Sequence, residues 1–272
     1  MLDILIQHVA MPFEEVRIVL SLLMIGAGAY FDIKQDREIP DMLVYGSLAV
    51  SALMALLLPF ELLLYAAVVA LLVGVFGYMA YKSGQLGSAD VLMFVALCLM
   101  LPIHPSFLSM PVNVPFFFSA YIFASVLFIL YQLISIVPVI LEDPSNAKKE
   151  ALIILVPYLI FVYFYFTTPI FSFAYFMLFT LVVLFAVFFY AYKDQIMKSF
   201  VVEIPLSKAE EEVAAAEYLS VKVNRVITKD DIELLKKKRI KKVKIYKYAP
   251  FLPFLFAGVV LGLLISPLSF MY

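Results

Sequence analysis

Eight stretches of this chain are apolar enough to be read as helices in a lipid bilayer, and this fixes its class. They cover residues 16–31, 42–60, 62–81, 91–102, 116–141, 151–168, 170–192 and 249–270. A helix needs about 20 apolar residues to cross the hydrocarbon core. Helices and closed barrels alone satisfy their backbone polar groups there. Most of the runs reach that length. The fourth is short, and is expected to begin inside the Gly87–Asp90 stretch or to re-enter behind protein. The chain is 65% hydrophobic with a mean hydropathy of +1.02, well above a soluble domain. The expected fold is an all-α polytopic membrane protein of about eight transmembrane helices, with a small cytoplasmic α+β insert before the last. Residues 1–192 form the membrane domain with seven spans, 193–247 the insert, and 248–272 the last transmembrane helix.

Charge placement orients these spans. Lys34 and Arg37 follow the first, Lys82 the third, and Lys148 and Lys149 the fifth. The stretch after the seventh holds nearly all the remaining cations, and the loops after the second, fourth and sixth hold none. The positive-inside rule then puts the odd-to-even loops in the cytoplasm and both termini outside. Arg17, at the outer end of the first span, is the exception. The first residues lack a basic n-region and a small-residue cleavage site, so the first span is expected to be retained.

Within the insert, residues 208–218 are rich in Glu and Ala and read as a short helix. Residues 220–227 alternate Val and Ile with polar residues, a strand pattern. Thr228 reads as an N-cap, with Asp230, Asp231 and Glu233 in the first turn and Lys236 to Arg239 in the last. Val243, Ile245 and Tyr246 mark a second strand. The basic cluster over 236–247 is read as a contact for anionic lipid head groups, or else for a partner or substrate tail.

Chemistry has few candidates. One cysteine, Cys98, excludes a disulfide within the chain, and two histidines, His8 and His104, argue against a metal site. His8 reads as an exposed terminal residue, His104 as an outer-loop residue and Glu61 as a solvated turn residue. No cofactor is expected. Asp32 and Asp90 stand apart. An acid at membrane depth is costly and usually functional, and each of these lies where an apolar run meets a short polar loop. Small residues, Gly26 to Ala29, precede Asp32, and Tyr30 and Phe31 flank it as candidate shields from water. Asp36, Pro40 and Asp41 follow in the loop. Before Asp90 come Gly84, Gly87, Ser88 and Ala89, where glycine permits conformations that other residues resist. Taken singly, Asp32 reads equally well as a helix end at the interface, and Asp90 as an N-cap. Together they read as a pair. Two carboxylates sharing one proton can activate water and protonate a leaving amine without a metal or covalent intermediate.

Asp32 followed by Arg37-Glu38-Ile39-Pro40-Asp41, and Gly87-Ser88-Ala89-Asp90 two spans later, resemble the type IV prepilin peptidases. The chain is most similar to their archaeal branch, the preflagellin (prearchaellin) and pre-pilin peptidases, which are GxGD-type intramembrane aspartyl proteases. The proline-rich start of the last apolar run, Tyr248 to Phe254, adds to the likeness. The resemblance implies Asp32 and Asp90 as the catalytic pair. It also implies cleavage of class III signal peptides at the cytoplasmic membrane face, between a basic leader and a hydrophobic helix. The implied partners are pilin-like or archaellin precursors and membrane lipid, with no nucleic acid. Two positions depart from the family pattern: Ala89 stands where members often have Gly, and Leu92 where they commonly have Lys. A cysteine-rich region of the bacterial kind is absent, so cleavage without N-methylation is expected.

Two other classes compete. A multi-pass transporter predicts acids deep within spans and an inverted repeat, whereas these acids lie at span ends and no repeat is seen. A non-catalytic assembly factor predicts that neutralising either acid is harmless. A presenilin-like protease shares the acid pair, but its first Asp follows several spans.

Overall fold

The computed structural model describes residues 11–34, 39–108, 114–142, 148–167, 173–215, 226–247 and 249–265. The chain forms two compact units, Met1–Ala124 with Val202–Ser266, and Ser125–Val201 with Pro267–Tyr272. The first holds both candidate acids. Its first helices are α1 (Glu14–Lys34), α2 (Asp41–Ala55), α3 (Phe60–Lys82), α4 (Ser88–Met100) and the start of α5 (Phe116–Glu142), and the helices within Val202–Ser266 belong to it as well.

Helix α4 is the centre of this unit. Val91, Met93, Phe94, Ala96, Leu97, Cys98 and Met100 are all buried, and α1, α2 and α3 pack around it. Small residues allow close approach. On α2, Ser47, Ser51 and Ala55 share the buried face with Val44. On α3, a Cβ at Gly77 would lie 2.7 Å from Val91 Cγ1. At 13 residues, α4 is about 20 Å long and falls short of a bilayer core of about 30 Å. Its continuation from Leu101 to Pro105 is non-helical and buried.

One end of the bundle is held by Arg17. Its side chain is fully buried. It donates to the Pro12 carbonyl at 2.8 Å, to the Met100 carbonyl at 3.1 Å, and to the Met54 carbonyl. Met54 and Met100 lie in the last turns of α2 and α4, where the helix dipole favours a cation, and the Met54 carbonyl also accepts from the Leu57 N–H at 3.1 Å. Arg17 therefore ties three helices together, which explains why this cation departs from the charge pattern of the loops. Beside it, Glu14 Oε1 accepts from the backbone N–H and the hydroxyl of Ser106, both at 2.9 Å. His104 lies in the non-helical segment between α4 and α5, and it is buried. Its ring nitrogens pair with the Val114 carbonyl at 3.0 Å and Ser119 Oγ at 2.7 Å.

Across the remainder of the chain, Lys193–Ser199 (α8), β1 (Val201–Pro205), α9 (Lys229–Lys237), β2 (Lys242–Tyr246) and α10 (Leu252–Leu264) follow α6 (Leu155–Thr167) and α7 (Phe173–Ala191). The strands pair into a two-stranded sheet. Thr228 caps α9 as expected, its N–H and hydroxyl bonding Asp231 Oδ2 at 2.9 and 2.8 Å. The expected helix over 208–218 does not form in its described part. Glu211 has φ +68°, outside the helical region, and Val213 and Ala214 instead pair with Val226 and Ile245. Tertiary pairing overrides the helix propensity of Glu and Ala. Most of the strand expected over 220–227 lies outside the described residues. The small core joins Leu206, Ile227, Leu235, Val243 and Ile245. Gly258 of α10 packs against the backbone of α5 at Ala120 and Ala124, closely enough that no Cβ fits.

The second unit is aromatic and mostly exposed. Phe161 and Phe179 rings lie 4.2 Å apart, Tyr158 and Thr180 hydroxyls bond at 2.8 Å, and Lys148 pairs with Asp194 at 2.8 Å. Among the described residues, four helices are long and apolar enough to cross a membrane, or five if the pair Phe176–Ala191 and Lys193–Ser199, bent by 83°, is one span. Helix length thus supports fewer than the expected eight spans, because α2, α4 and α10 are short.

Arg17→Ala removes a buried guanidinium that the Pro12, Met54 and Met100 carbonyls share and is expected to cost about 3 kcal/mol. Arg17→Lys should recover less than half, since an ammonium lacks the guanidinium fork. Thermal unfolding in detergent reads both. His104 gives a pH dependence. Burial pushes its imidazole below the usual 6.5, partly offset by the Val114 carbonyl. The unfolded chain therefore protonates first, and stability falls as pH drops from about 6.5 toward the folded value. Unfolding followed from pH 7.5 to 5 should show a shallower decline for His104→Gln.

Candidate active site

Asp32 continues the buried stripe of α1 rather than merely ending it. Arg17, Ser21, Met24, Ile25, Gly28, Ala29 and Asp32 recur at helical spacing on one face. Asp32 is only 5% exposed. Its Oδ2 accepts from the backbone N–H of Leu252 at 3.1 Å. Leu252 opens α10, and Pro253 follows at the second position. The first N–H groups of a helix have no internal acceptor, so Asp32 supplies one across 220 residues of sequence.

Asp90 is set by a local device. Gly87 is the N-cap of α4 and Asp90 the third helical residue, so Asp90 is not itself the N-cap. Its Oδ2 accepts from the Gly87 N–H at 3.1 Å, the carboxylate half of a capping box. Gly87 has φ −75°, which any residue adopts. Its use lies in space, since a Cβ there would sit 3.2 Å from Asp90 Oδ2. Gly84 does need its freedom, with φ +74°. Its N–H bonds the Tyr81 carbonyl at 2.8 Å and the Gln85 N–H bonds that of Ala80 at 2.9 Å, the Schellman ending of α3. Ala89 lies inside α4. Helical backbone asks for no glycine, so the alanine carries no conformational cost.

The contacts between α1 and α4 set the level of the two acids. Arg17 near the start of α1 bonds Met100 at the end of α4, so the helices run antiparallel. A Cβ on Gly28 would lie 3.2 Å from Met93 Cε and 3.0 Å from Leu252 Cδ1. One turn onward from Gly28, on the same face, is Asp32. About one turn back from Met93 is Asp90. Both steps lead to the same end of the bundle, because a turn is about 5.4 Å along either axis. Asp32 is buried and Asp90 half-buried there.

Aromatic rings form a layer one turn from the acids. Phe94, four residues beyond Asp90, lies 5.5 Å from Phe117, 6.2 Å from Tyr121 and 5.7 Å from Phe251. Phe251 directly precedes the Leu252 that bonds Asp32. Tyr30, expected to shield Asp32, is 52% exposed and faces Lys34, whose Nζ lies 2.5 Å from its hydroxyl. The i, i+4 spacing of Phe94 from Asp90 was the sequence signal for the ring layer. Phe251 had none, because its neighbours are distant in sequence.

The remaining candidates sit apart from this geometry. Asp41 is exposed in the first turn of α2 and Pro40 is its N-cap. Asp36 and His8 lie outside the described residues. Among the described residues, no three His, Cys, Asp or Glu side chains gather into a metal-binding group. Comparison with family models, curated proteins and solved structures returned no match.

Asp32→Asn keeps a carbonyl oxygen for the Leu252 N–H and should unfold close to the wild type. Asp32→Leu removes the acceptor and is expected to lose about 1–3 kcal/mol. Equal stability of the two variants contradicts the capping of α10 by Asp32.

Proposed function

We propose that this chain is a membrane-embedded aspartic endopeptidase that removes the leader from type IV pilin-like or archaellin precursors. The carrying observation is the antiparallel register of α1 and α4, which brings Asp32 and Asp90 to one end of one bundle. The resemblance of the Asp32 and Gly87-Ser88-Ala89-Asp90 motifs to the archaeal prepilin and preflagellin peptidases supports the same reading. The alternation of Lys and Arg between loops assigns the acid end to the cytoplasmic face and both termini to the outside.

In this reading the acids share one proton. The charged carboxylate takes a proton from water as it attacks the scissile carbonyl. The neutral one hydrogen-bonds the carbonyl oxygen and then protonates the departing amine. The aromatic layer limits water on the bundle side, so the substrate approaches from the polar loops. Its basic leader stays in the cytoplasm while its apolar helix lies along the membrane. The product is released without N-methylation.

Asp32→Asn and Asp90→Asn should each lower cleavage of a co-expressed precursor by at least about a thousandfold, with membrane insertion unchanged. Sequencing the product's N-terminus locates the cut. Normal cleavage by either variant overturns the mechanism, and a non-catalytic assembly role then becomes the better reading.

A further inference from the structure

The loop that carries Asp90 is exposed at Gln85, Gly87 and Ser88 and contains two glycines; within it, the α3 ending, the Gly87–Asp90 bond and the packing of Leu86 are its local supports. A segment from the far insert lies against it. Residues 211–215 are stitched into the insert's fold from two sides. The Glu211 N–H bonds the Ile227 carbonyl at 3.1 Å, and the Ile227 N–H bonds the Glu212 carbonyl at 2.8 Å. On the other side, the Tyr246 N–H bonds the Val213 carbonyl at 3.0 Å and the Ala215 N–H that of Lys244 at 2.8 Å. The result is a braced finger rather than a free loop.

Two of its side chains meet the Asp90 loop. Val213 is buried and occupies the space that a side chain at Gly84 would need: a Cβ there would lie 2.5 Å from Val213 Cγ2. Glu211 holds φ +68°, a conformation uncommon outside glycine and stored where surrounding structure imposes it. Its Oε2 lies 3.5 Å from Ser88 Oγ, and Ser88 opens α4 two residues before Asp90.

We propose that Val213 and Glu211 are positioning residues. The insert sets the conformation of the Gly84–Asp90 loop, and through it the place of the Asp90 carboxylate. Its consequence for catalysis rests on the reading of Asp90 as a catalytic acid. The insert is then part of the working site, since it braces the one acid whose own segment is exposed and glycine-rich.

The test uses the full-length chain in detergent or nanodiscs, with Val213→Ala, Val213→Ile, Gly84→Ala and the Gly84→Ala/Val213→Ala double variant. Hydrogen exchange is followed in residues 83–90 and in the insert core, alongside precursor cleavage. Val213→Ala should speed exchange in 83–90 and lower kcat by up to about a hundredfold, with KM changed less than about twofold and Val213→Ile near wild type. The double variant should lose less than the two single losses combined, because trimming Val213 makes room for the new methyl. Unchanged exchange in 83–90 for Val213→Ala overturns the proposal. So does faster exchange confined to the insert core, or strict additivity of the two substitutions. Should the wild type cleave no precursor, the peptidase reading fails, while loop exchange and additivity still decide whether the insert positions the loop.

Discussion

Helix α1 buries a charge-bearing side chain near each end, and both engage the backbone of neighbouring helices. In an apolar surround an unsatisfied carbonyl or N–H is expensive, so these two side chains decide which helices neighbour α1 and in what register. Arg17 gathers the carbonyl ends of α2 and α4. Asp32 receives the amino end of α10. The polarity is matched each time, cation to carbonyls and carboxylate to N–H, as helix dipoles favour. The site inherits its geometry from this arrangement, since the Arg17 contact makes α4 antiparallel to α1 and so brings Asp90 to the Asp32 end.

The same constraint explains the short helices. An apolar helix of 13 residues in lipid would leave its ends unsatisfied. Helix α4 avoids this because other helices enclose it and Arg17 takes up its Met100 carbonyl. Helix α10 opens on Asp32 and runs close against α5 at Gly258. Both short helices border the candidate site. Asp90 lies in the first turn of α4, whose start is exposed at Gly87 and Ser88.

Much of this was legible in the sequence, and what was not has physical causes. The apolar runs located every long helix. Thr228 and Asp231 announced the start of α9 because a capping box is local. Asp32 and Asp90 stood out because acids are rare in such surroundings. Eight spans are not confirmed by helix length among the described residues, because hydropathy reports apolarity and not the length of the helix that forms. The helix expected over 208–218 gave way to pairing with Val226 and Ile245, partners outside any local window. The Asp32–Leu252 bond and the Val213 contact with Gly84 join residues that no spacing rule connects. The departure at Ala89 carries no backbone cost, because that residue lies within the helical backbone of α4.

The central claim is that Asp32 and Asp90 lie at the same end of one bundle, brought there by the antiparallel register of α1 and α4. Short-span thiol crosslinking tests it directly, using Asp32→Cys with Asp90→Cys in a Cys98→Ala background, in native membranes. Met24→Cys with Ser51→Cys serves as the control, because Ser51 Oγ lies 3.6 Å from Met24 Sδ. The account predicts that both pairs crosslink within one chain. A control pair that links while the 32–90 pair does not would contradict it.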